Sequence, residues 1–167
     1  MNLEIEKKWL VKELDISALF EMFDNLDSIK RIEQIYLEKD KDNISPRIRK
    51  IVEGINNKKT YYNYNKKKHI KSGVNEEEEF EITEKKFNSL KETSDKSKNT
   101  VFKTRLTFKD NGQLFELDIF HKNLKGLIIL ELEMKNIDDE VKLPKFLNIL
   151  KEVTKDKRYS NFNLANY

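Results

Sequence analysis

Charged and apolar residues alternate along most of this chain, and alternation with a period of two places side chains on opposite faces of a β-strand. Eight segments read as strands on this pattern and on the turn residues that bound them. They are residues 2–11, 29–38, 46–53, 59–65, 76–83, 100–108, 113–121 and 127–135. Asp110-Asn111-Gly112 predicts a hairpin between the sixth and seventh strands, and residues 123–126 predict a turn before the eighth.

Three other segments are predicted to be helical: 15–24, which opens at Asp15, 84–94, which follows Thr83, and 143–151, with Pro144 in its first turn. No internal repeat or Pro/Gly/Ser-rich linker divides the chain, so we expect a single domain over residues 1–167. The predicted fold class is α+β and mostly β. Its architecture is an eight-stranded antiparallel closed barrel with a few appended helices.

The polar face of each predicted strand carries charges of the same few kinds. On the first strand Glu4, Glu6 and Lys8 share one face, and the opposite face is apolar apart from Lys7. The later strands repeat this arrangement with Arg47 and Arg49; Glu77, Glu79 and Glu81; Lys103 and Arg105; Glu116 and Asp118; and Glu131 and Glu133.

Two interpretations of these faces compete. In the first, the apolar faces form the core and the charged faces meet solvent, as in most antiparallel sheets. In the second, the barrel closes with its charges inside, and helices cover its apolar exterior. Same-sign pairs recur more often than a surface needs, and the apolar stripes are too thin for a second core, so we favour the second interpretation. A lumen of this kind has to be wet, and it suits a polyanion together with a cation.

Composition narrows the choice of function. The 33 Lys and Arg residues nearly balance the 30 Asp and Glu residues, so the net charge of +3 does not argue for a nucleic-acid partner, and we read residues 66–69 as a loop. The chain has no Cys, which excludes disulfides and thiolate metal sites. We see no signal peptide and no apolar run long enough to span a membrane, so we expect a cytoplasmic protein. The sequence also lacks a phosphate-cradling glycine loop.

Read in order, the motifs resemble those of the triphosphate tunnel metalloenzyme superfamily, whose members are also called CYTH proteins. The resemblance covers nearly the whole chain. It rests on Glu-x-Glu-x-Lys at 4–8, Arg-Ile-Arg at 47–49, the acidic strand at 77–82, Lys-x-Arg at 103–105, FELDIF at 115–120, GLIILELEM at 126–134 and the ending EVTKDKRYSNFNLA at 152–165.

The resemblance implies a charged tunnel in which basic residues bind a triphosphate and acidic residues bind Mg²⁺ or Mn²⁺, metals that prefer hard oxygen ligands. The implied substrate ligands are Lys8, Arg47, Arg49, Lys66, Lys103 and Arg105. The implied metal ligands are Glu4, Glu6, Asp118, Glu131 and Glu133. The implied catalytic residues are Lys8, Glu6 and Arg49, and an acid on the first or last strand would orient the attacking water. No nucleic acid or membrane partner is implied, and the oligomeric state stays open.

The fourth strand departs from the family pattern, because Asn65 stands where the family usually has an inward-facing Lys and Lys66 follows it. A β-bulge would turn Lys66 inward, whereas a regular strand would turn Asn63 and Asn65 inward and Lys66 outward. We favour the regular strand. Asn75 also replaces an Arg that is common in bacterial members.

The leading functional hypothesis is a metal-dependent triphosphatase acting on inorganic triphosphate or a related compound. The alternatives are a class IV-type adenylyl cyclase and a non-hydrolysing module that binds polyphosphate or nucleotide.

Overall fold

The computed structural model describes residues 2–167 and contains nine strands and three α-helices. The elements in chain order are β1 (Asn2–Val11), α1 (Ile16–Asp24), β2 (Leu26–Tyr36), β3 (Arg47–Glu53), β4 (Lys59–Lys71), β5 (Val74–Ile82), α2 (Glu84–Lys91), β6 (Val101–Asp110), β7 (Gln113–Phe120), β8 (Ile128–Met134), β9 (Ile149–Glu152) and α3 (Asn161–Leu164). Single turns of 3₁₀-helix occur at Lys122–Leu124 and Lys157–Tyr159.

Eight of the strands close into an antiparallel barrel, as the sequence predicts. The strand order is β5-β4-β3-β2-β6-β7-β8-β1, and pairing of β1 with β5 completes the ring. One edge of β1 pairs with β8. Along its other edge, residues 2–5 pair with β5 and residues 9–11 pair with β9. Between these two stretches, Glu6 N–H donates to Gly73 O (2.8 Å) and Lys8 N–H donates to Thr154 Oγ1 (3.0 Å). The turn between β4 and β5 and the carboxy-terminal segment therefore hold β1 in place at Glu6 and Lys8, respectively.

The apolar faces of the strands point outward and are covered by helices and loops. α1 packs its buried residues Ala18 and Met22 against a cluster that includes Trp9, Phe108 and Leu130. The second helix packs in the same way through Phe87 on the opposite side of the barrel. Burial of the outer face leaves the charged face of each strand inside, which confirms the second of the two interpretations.

Two of the three predicted helices are confirmed with their caps. Ala18 N–H donates to Asp15 Oδ1 (2.7 Å) at the start of α1, and Lys86 N–H donates to Thr83 Oγ1 (3.2 Å) at the start of α2. The predicted hairpin is also confirmed, with Asn111 and Gly112 at φ +49° and +73°, the positive values that a two-residue turn of this kind requires.

The predicted helix over 143–151 is wrong. Residues 143–148 are irregular and 149–152 form β9, because the free edge of β1 beyond β5 offers backbone partners that a helix would leave unpaired. The helical spacing of Leu143, Phe146 and Leu147 instead serves their contacts with the apolar exterior.

The fourth strand is longer than predicted, and its added residues include the lysine-rich segment 66–69 that we read as a loop. β4 continues to Lys71 because β5 supplies acidic partners, with Lys67 opposite Glu77 and Lys68 opposite Glu76. No helix within residues 2–167 is long and apolar enough to cross a membrane.

Candidate active site

The barrel encloses a charged cavity of about 160 Å³. Five cationic and seven carboxylate side chains line it together with one amide, so acids exceed bases by two. The lining residues are Lys8, Arg47, Arg49, Lys67, Arg105, Glu4, Glu6, Glu77, Glu79, Glu116, Glu131, Glu133 and Asn161. Eight of the ten residues other than Lys66 that the sequence assigned to substrate, metal or catalysis come together here, and the remaining two, Lys103 and Asp118, lie directly behind the wall.

 Among these eight, Glu133 differs from the other seven in being exposed.

Two arginines on β3 supply the basic side of the cavity. Arg49 Nε donates to Gln34 Oε1 (2.9 Å), and its Nη1 lies 3.2 Å from Glu79 Oε2. Arg47 Nη2 lies 3.3 Å from Glu77 Oε1, and its buried Nε has no hydrogen-bond partner among residues 2–167. The guanidinium groups are thus held at their edges by the protein and keep donor capacity for a ligand.

The positive charges on this side repel one another. Burial lowers the pKa of Arg49 to about 10, and the charges of Arg47 and Arg105 add to the effect. A bound polyanion would relieve this repulsion, because the charged form of each arginine would gain an opposite charge nearby.

The third arginine is held by a carboxylate behind the wall. Arg105 donates from Nε to Asp118 Oδ1 (2.6 Å) and from Nη2 to Asp118 Oδ2 (2.7 Å), and Lys103 Nζ lies 2.5 Å from the same Oδ2. Asp118 and Lys103 are 0% and 1% exposed and do not line the cavity. The structure therefore places the predicted metal ligand Asp118 and the predicted phosphate ligand Lys103 where they orient Arg105.

Burial changes the electrostatics of this hidden pair. It lowers the pKa of Lys103 to about 8, against the attraction of Asp118. Burial alone would raise the pKa of Asp118, but the charges of Arg105 and Lys103 outweigh it and hold the carboxyl below its ordinary value.

Lys8 on β1 forms ion pairs with two carboxylates of the cavity. Its Nζ lies 3.1 Å from Glu131 Oε1 and 3.3 Å from Glu6 Oε1. Burial lowers the pKa of Lys8, but attraction to Glu131 and Glu6 is stronger in sum, so the pKa is raised and the ammonium stays charged. Glu131 also accepts from Arg105 Nη2 (3.0 Å), which makes it the link between the first and sixth strands.

Two carboxyl groups in the cavity have raised pKa values. For Glu133 the causes are desolvation followed by the charges of Glu116, Glu77 and Glu6, and no ion-pair partner for Glu133 occurs in the described part of the chain. For Glu4 desolvation is again the largest cause, and it outweighs attraction to Lys67 Nζ, 2.5 Å away. These acids lie near other acids and would be stabilised by a cation.

The predicted role of Lys66 as a substrate ligand is not supported by its position. Lys66 points outward, where its Nζ contacts Asp40 and lies 2.7 Å from Asp42 Oδ2. The register of β4 against β5 is regular here, with Asn65 opposite Glu79 and Lys66 opposite Glu78, so no bulge turns Lys66 inward.

Asn65 and Lys67 occupy the inner face of β4 instead. Asn65 is 0% exposed and donates from Nδ2 to Glu77 Oε1 (2.6 Å) and Glu79 Oε2 (2.9 Å). Lys67, two residues further along, lines the cavity and pairs with Glu4.

Sequence reasoning missed three residues of the site. Lys67 could have been found by continuing the alternation of β4 past residue 65. Gln34, which contacts Arg49, lies on a strand whose inner face carries no charge signal. Asn161 comes from the α3 segment, and its Oδ1 lies 3.4 Å from Lys103 Nζ.

The cavity fits a divalent cation in the chemistry of its donors. Its carboxylate oxygens are the ligands that Mg²⁺ and Mn²⁺ prefer. Desolvation, together with the charges of neighbouring carboxylates, raises the pKa values of Glu4 and Glu133, and a bound cation would favour their ionised forms. No group of three His, Cys, Asp or Glu side chains among residues 2–167 is already arranged around a metal position. The acids would therefore have to adjust their rotamers to hold one.

Comparison with solved structures gives the family. Two crystal structures of NE1496, one described as an inorganic triphosphatase and one as a hypothetical protein, are each 30% identical to this chain. The first covers 100% of this chain and 97% of its own with a TM-score of 0.62, and the second covers 98% of both with a TM-score of 0.61. The chain belongs to the triphosphate tunnel metalloenzyme superfamily.

More distant structures agree in fold alone. PH1012 from Pyrococcus horikoshii OT3 is 22% identical, with a TM-score of 0.51 and coverage of 81% of each chain. The putative adenylyl cyclase HpAC1 from Hippeastrum is 16% identical, with a TM-score of 0.53 and coverage of 80% of each chain. No family model and no curated protein matches this sequence.

Proposed function

We propose that this protein hydrolyses the terminal phosphate of inorganic triphosphate with the help of Mg²⁺ or Mn²⁺. The observation that carries the proposal is the charged cavity inside the barrel in which Arg47, Arg49 and Arg105 converge with carboxylates from β1 and β8. NE1496, which is 30% identical over the whole chain, is described as an inorganic triphosphatase. In the reaction, a water oxygen bonds to the terminal phosphorus, the bridging P–O bond breaks, and orthophosphate, pyrophosphate and a proton result.

The charge balance of the cavity supports metal dependence. Seven carboxylates exceed five cationic groups, so a triphosphate entering alone would meet a lumen that is already negative. We infer that Glu4 and Glu6 would hold the cation. When bound, the cation would supply charge neutralisation for the phosphoryl oxygens, as in other phosphoryl-transfer sites.

The chain's own residues then divide the remaining work. Arg47 and Arg49 bind phosphate oxygens through free guanidinium donors, a geometry suited to paired contacts. Lys8 on β1 and Lys67 on β4 add point charges. Charge moves onto the bridging oxygen as the bond breaks, and fixed donors around that oxygen lower the barrier.

A carboxylate on the acidic wall would take the proton of the attacking water. Glu133 suits this role, because it is exposed to the cavity, lacks an ion-pair partner within residues 2–167, and has a raised pKa. A carboxyl whose pKa is raised toward the working pH is a better base than an ordinary one.

Phosphate release tests the proposal. Triphosphate, ATP and thiamine triphosphate are each assayed with Mg²⁺, with Mn²⁺ and with a chelator. Arg49→Ala and Lys8→Ala should each lower kcat/KM for triphosphate at least tenfold, which is about 1.4 kcal/mol of transition-state stabilisation. Lys50→Ala is the matched control, since Lys50 neighbours Arg49 on β3 but is not among the cavity-lining residues.

Other outcomes would redirect the assignment. Cyclic nucleotide formed from ATP would indicate the cyclase alternative, and tight binding of triphosphate without turnover would indicate a binding module. Near-normal turnover in both cavity variants would remove Lys8 and Arg49 from the site.

A further inference from the structure

Lys67 on β4 pairs with the two acids that the proposed function assigns to a divalent cation. Its Nζ lies 2.5 Å from Glu4 Oε2 and 3.4 Å from Glu6 Oε1, and these are its only ion pairs among residues 2–167. The arginines of the cavity pair with other carboxylates, and Lys8 pairs with Glu131 as well as with Glu6. The ammonium of Lys67 therefore contacts both of the carboxylates that would hold the metal.

The positive charge of Lys67 compensates for acids that lie close together in a poorly solvated place. The side chains of Glu4 and Glu6 are 15% and 13% exposed. Desolvation is the largest influence on Glu4 and raises its pKa, the charge of Lys67 opposes it, and the charge of Glu6 adds to it. At Glu133, too, the charge of Lys67 opposes desolvation and the repulsion of neighbouring acids. A positive charge at this position is needed to keep these carboxylates ionised side by side.

Lys67 also has space into which its ammonium can move. It lines a neighbouring cavity of about 490 Å³ as well as the charged cavity. A lysine ammonium is a point charge on a flexible four-carbon stem, so it can change partners without a fixed hydrogen-bonding geometry. Lys8 differs, because its second partner Glu131 is 7% exposed and holds it in the wall of the barrel. Of the two lysines that contact Glu6, Lys67 is the one that is free to leave.

We propose that Lys67 is an internal counter-ion that exchanges with the divalent cation. Lys67 holds Glu4 and Glu6 when no metal is bound, and it withdraws from them when Mg²⁺ or Mn²⁺ binds there. The inference rests on the proposed function, which assigns the cation to these two acids. Lys67 withdraws because its ammonium and a divalent cation repel each other at so short a distance. The withdrawn ammonium then attracts phosphate oxygens, so Lys67 joins the substrate's ligands only once the metal is in place.

Mn²⁺ binding to the substrate-free protein tests the exchange without any turnover. Electron paramagnetic resonance of free Mn²⁺ gives the dissociation constant for wild type and for Lys67→Met, which keeps an unbranched side chain and removes the charge. Without the competing ion pairs, the variant should bind Mn²⁺ about fivefold more tightly or better. Arg49→Met is the matched control, because it removes the same charge from the same cavity but its ion-pair partner is Glu79. Its dissociation constant should change by less than about twofold.

Two further measurements follow the ammonium itself. Lysine side-chain ¹⁵N NMR, with the Lys67 signal assigned through its loss in Lys67→Arg, should show a larger shift on addition of Mg²⁺ for Lys67 than for Lys8. In thermal unfolding, Mn²⁺ should raise the Tm of Lys67→Met more than that of wild type, because a ligand that binds the folded state more tightly stabilises it more. Lys67→Arg, which keeps the charge, should respond to Mn²⁺ as wild type does.

These results are separable from the proposed function. If Lys67→Met binds Mn²⁺ more tightly and the Lys67 signal shifts, but triphosphate stays intact, the exchange stands and the triphosphatase assignment fails. If triphosphate is hydrolysed but Lys67→Met binds Mn²⁺ no more tightly than wild type, the exchange is overturned and the assignment stands. Equal tightening in Arg49→Met, an unshifted Lys67 signal, or no Mn²⁺ binding in either protein would also overturn the exchange.

Discussion

Glu131 and Glu133 lie two residues apart on β8. A Glu→Gln substitution at one position should change the stability of the protein in the opposite direction to the same substitution at the other. Glu131 is 7% exposed and pairs with Lys8 and Arg105 at 3.1 and 3.0 Å. Removing one partner of a buried ion pair costs about 3–5 kcal/mol. The amide oxygen of Gln still accepts one hydrogen bond, so we expect a loss near the lower end, about 3 kcal/mol. For a chain of this length that corresponds to a fall in Tm of about 6–12 °C.

Glu133→Gln should raise the Tm instead. Glu133 has no cationic partner in residues 2–167, and desolvation and the charges of Glu116 and Glu77 disfavour its ionised form. The gain is less than about 1 kcal/mol, because solvent screens an exposed carboxylate. Activity should fall all the same, since Gln cannot accept the proton of the attacking water. A gain in stability with a loss of turnover is the pattern of a functional acid held at a cost in stability.

Thermal unfolding followed by circular dichroism across pH tests both substitutions. The pKa of Glu133 in the fold lies above its ordinary value of 4.5, so the destabilisation by its charge is complete at neutral pH and disappears as the group becomes protonated on acidification. The advantage of Glu133→Gln should therefore vanish at low pH. The pKa of Glu131 in the fold lies well below its ordinary value of 4.5. The stability that its charge contributes is therefore complete at neutral pH and is lost as the pH falls from 4.5 through the lower pKa of the fold. If both variants shift the Tm in the same direction at neutral pH, the assigned charge environments are wrong.

Three further substitutions test the positions of single side chains. Lys67→Ala should lower kcat/KM for triphosphate about tenfold or more, whereas Lys66→Ala, which removes the same charge from the exterior, should leave it unchanged in the same phosphate-release assay. Gln34→Leu keeps the side-chain volume but leaves Arg49 Nε without its acceptor, so KM should rise more than kcat falls, and Gln34→Glu should restore part of the affinity; a Gln34→Leu enzyme with wild-type KM would exclude this positioning role. Gly73→Ala should destabilise the fold by about 1–3 kcal/mol in a denaturant titration, because Gly73 has φ +75° and an added Cβ would lie 2.8 Å from a backbone oxygen of β1; an unchanged midpoint would mean that this hairpin adapts freely.

Much of the site could be predicted because a strand's period of two assigns each side chain to a face. The positions of Arg47, Arg49, Glu4 and Glu6 in the cavity follow from the alternation alone, once the charged faces are assigned to the inside of the barrel. The same rule correctly turned Asn65 inward and Lys66 outward once a regular strand was assumed. These assignments depend on local sequence, and the barrel preserves them.

Register and long-range pairing explain what could not be predicted. Lys103 and Asp118 have inward-facing positions in the sequence, but Arg105 sits directly opposite Asp118 and draws that carboxylate and Lys103 into a buried cluster behind the cavity. Register between strands depends on contacts far apart in the chain. β9 is a similar case, since the pattern of residues 143–151 could not reveal that β1 would have an unpaired edge to receive it.

The most direct test of the central claim is ³¹P NMR of inorganic triphosphate incubated with the wild-type protein. In the presence of Mg²⁺ or Mn²⁺, the account predicts that triphosphate disappears and orthophosphate and pyrophosphate form in equal amounts. It also predicts that a chelator abolishes the reaction and that Arg49→Ala slows it at least about tenfold. Triphosphate that stays intact with either metal, or that is consumed at the same rate when Arg49 is replaced, would contradict the assignment of this charged lumen as a triphosphatase site.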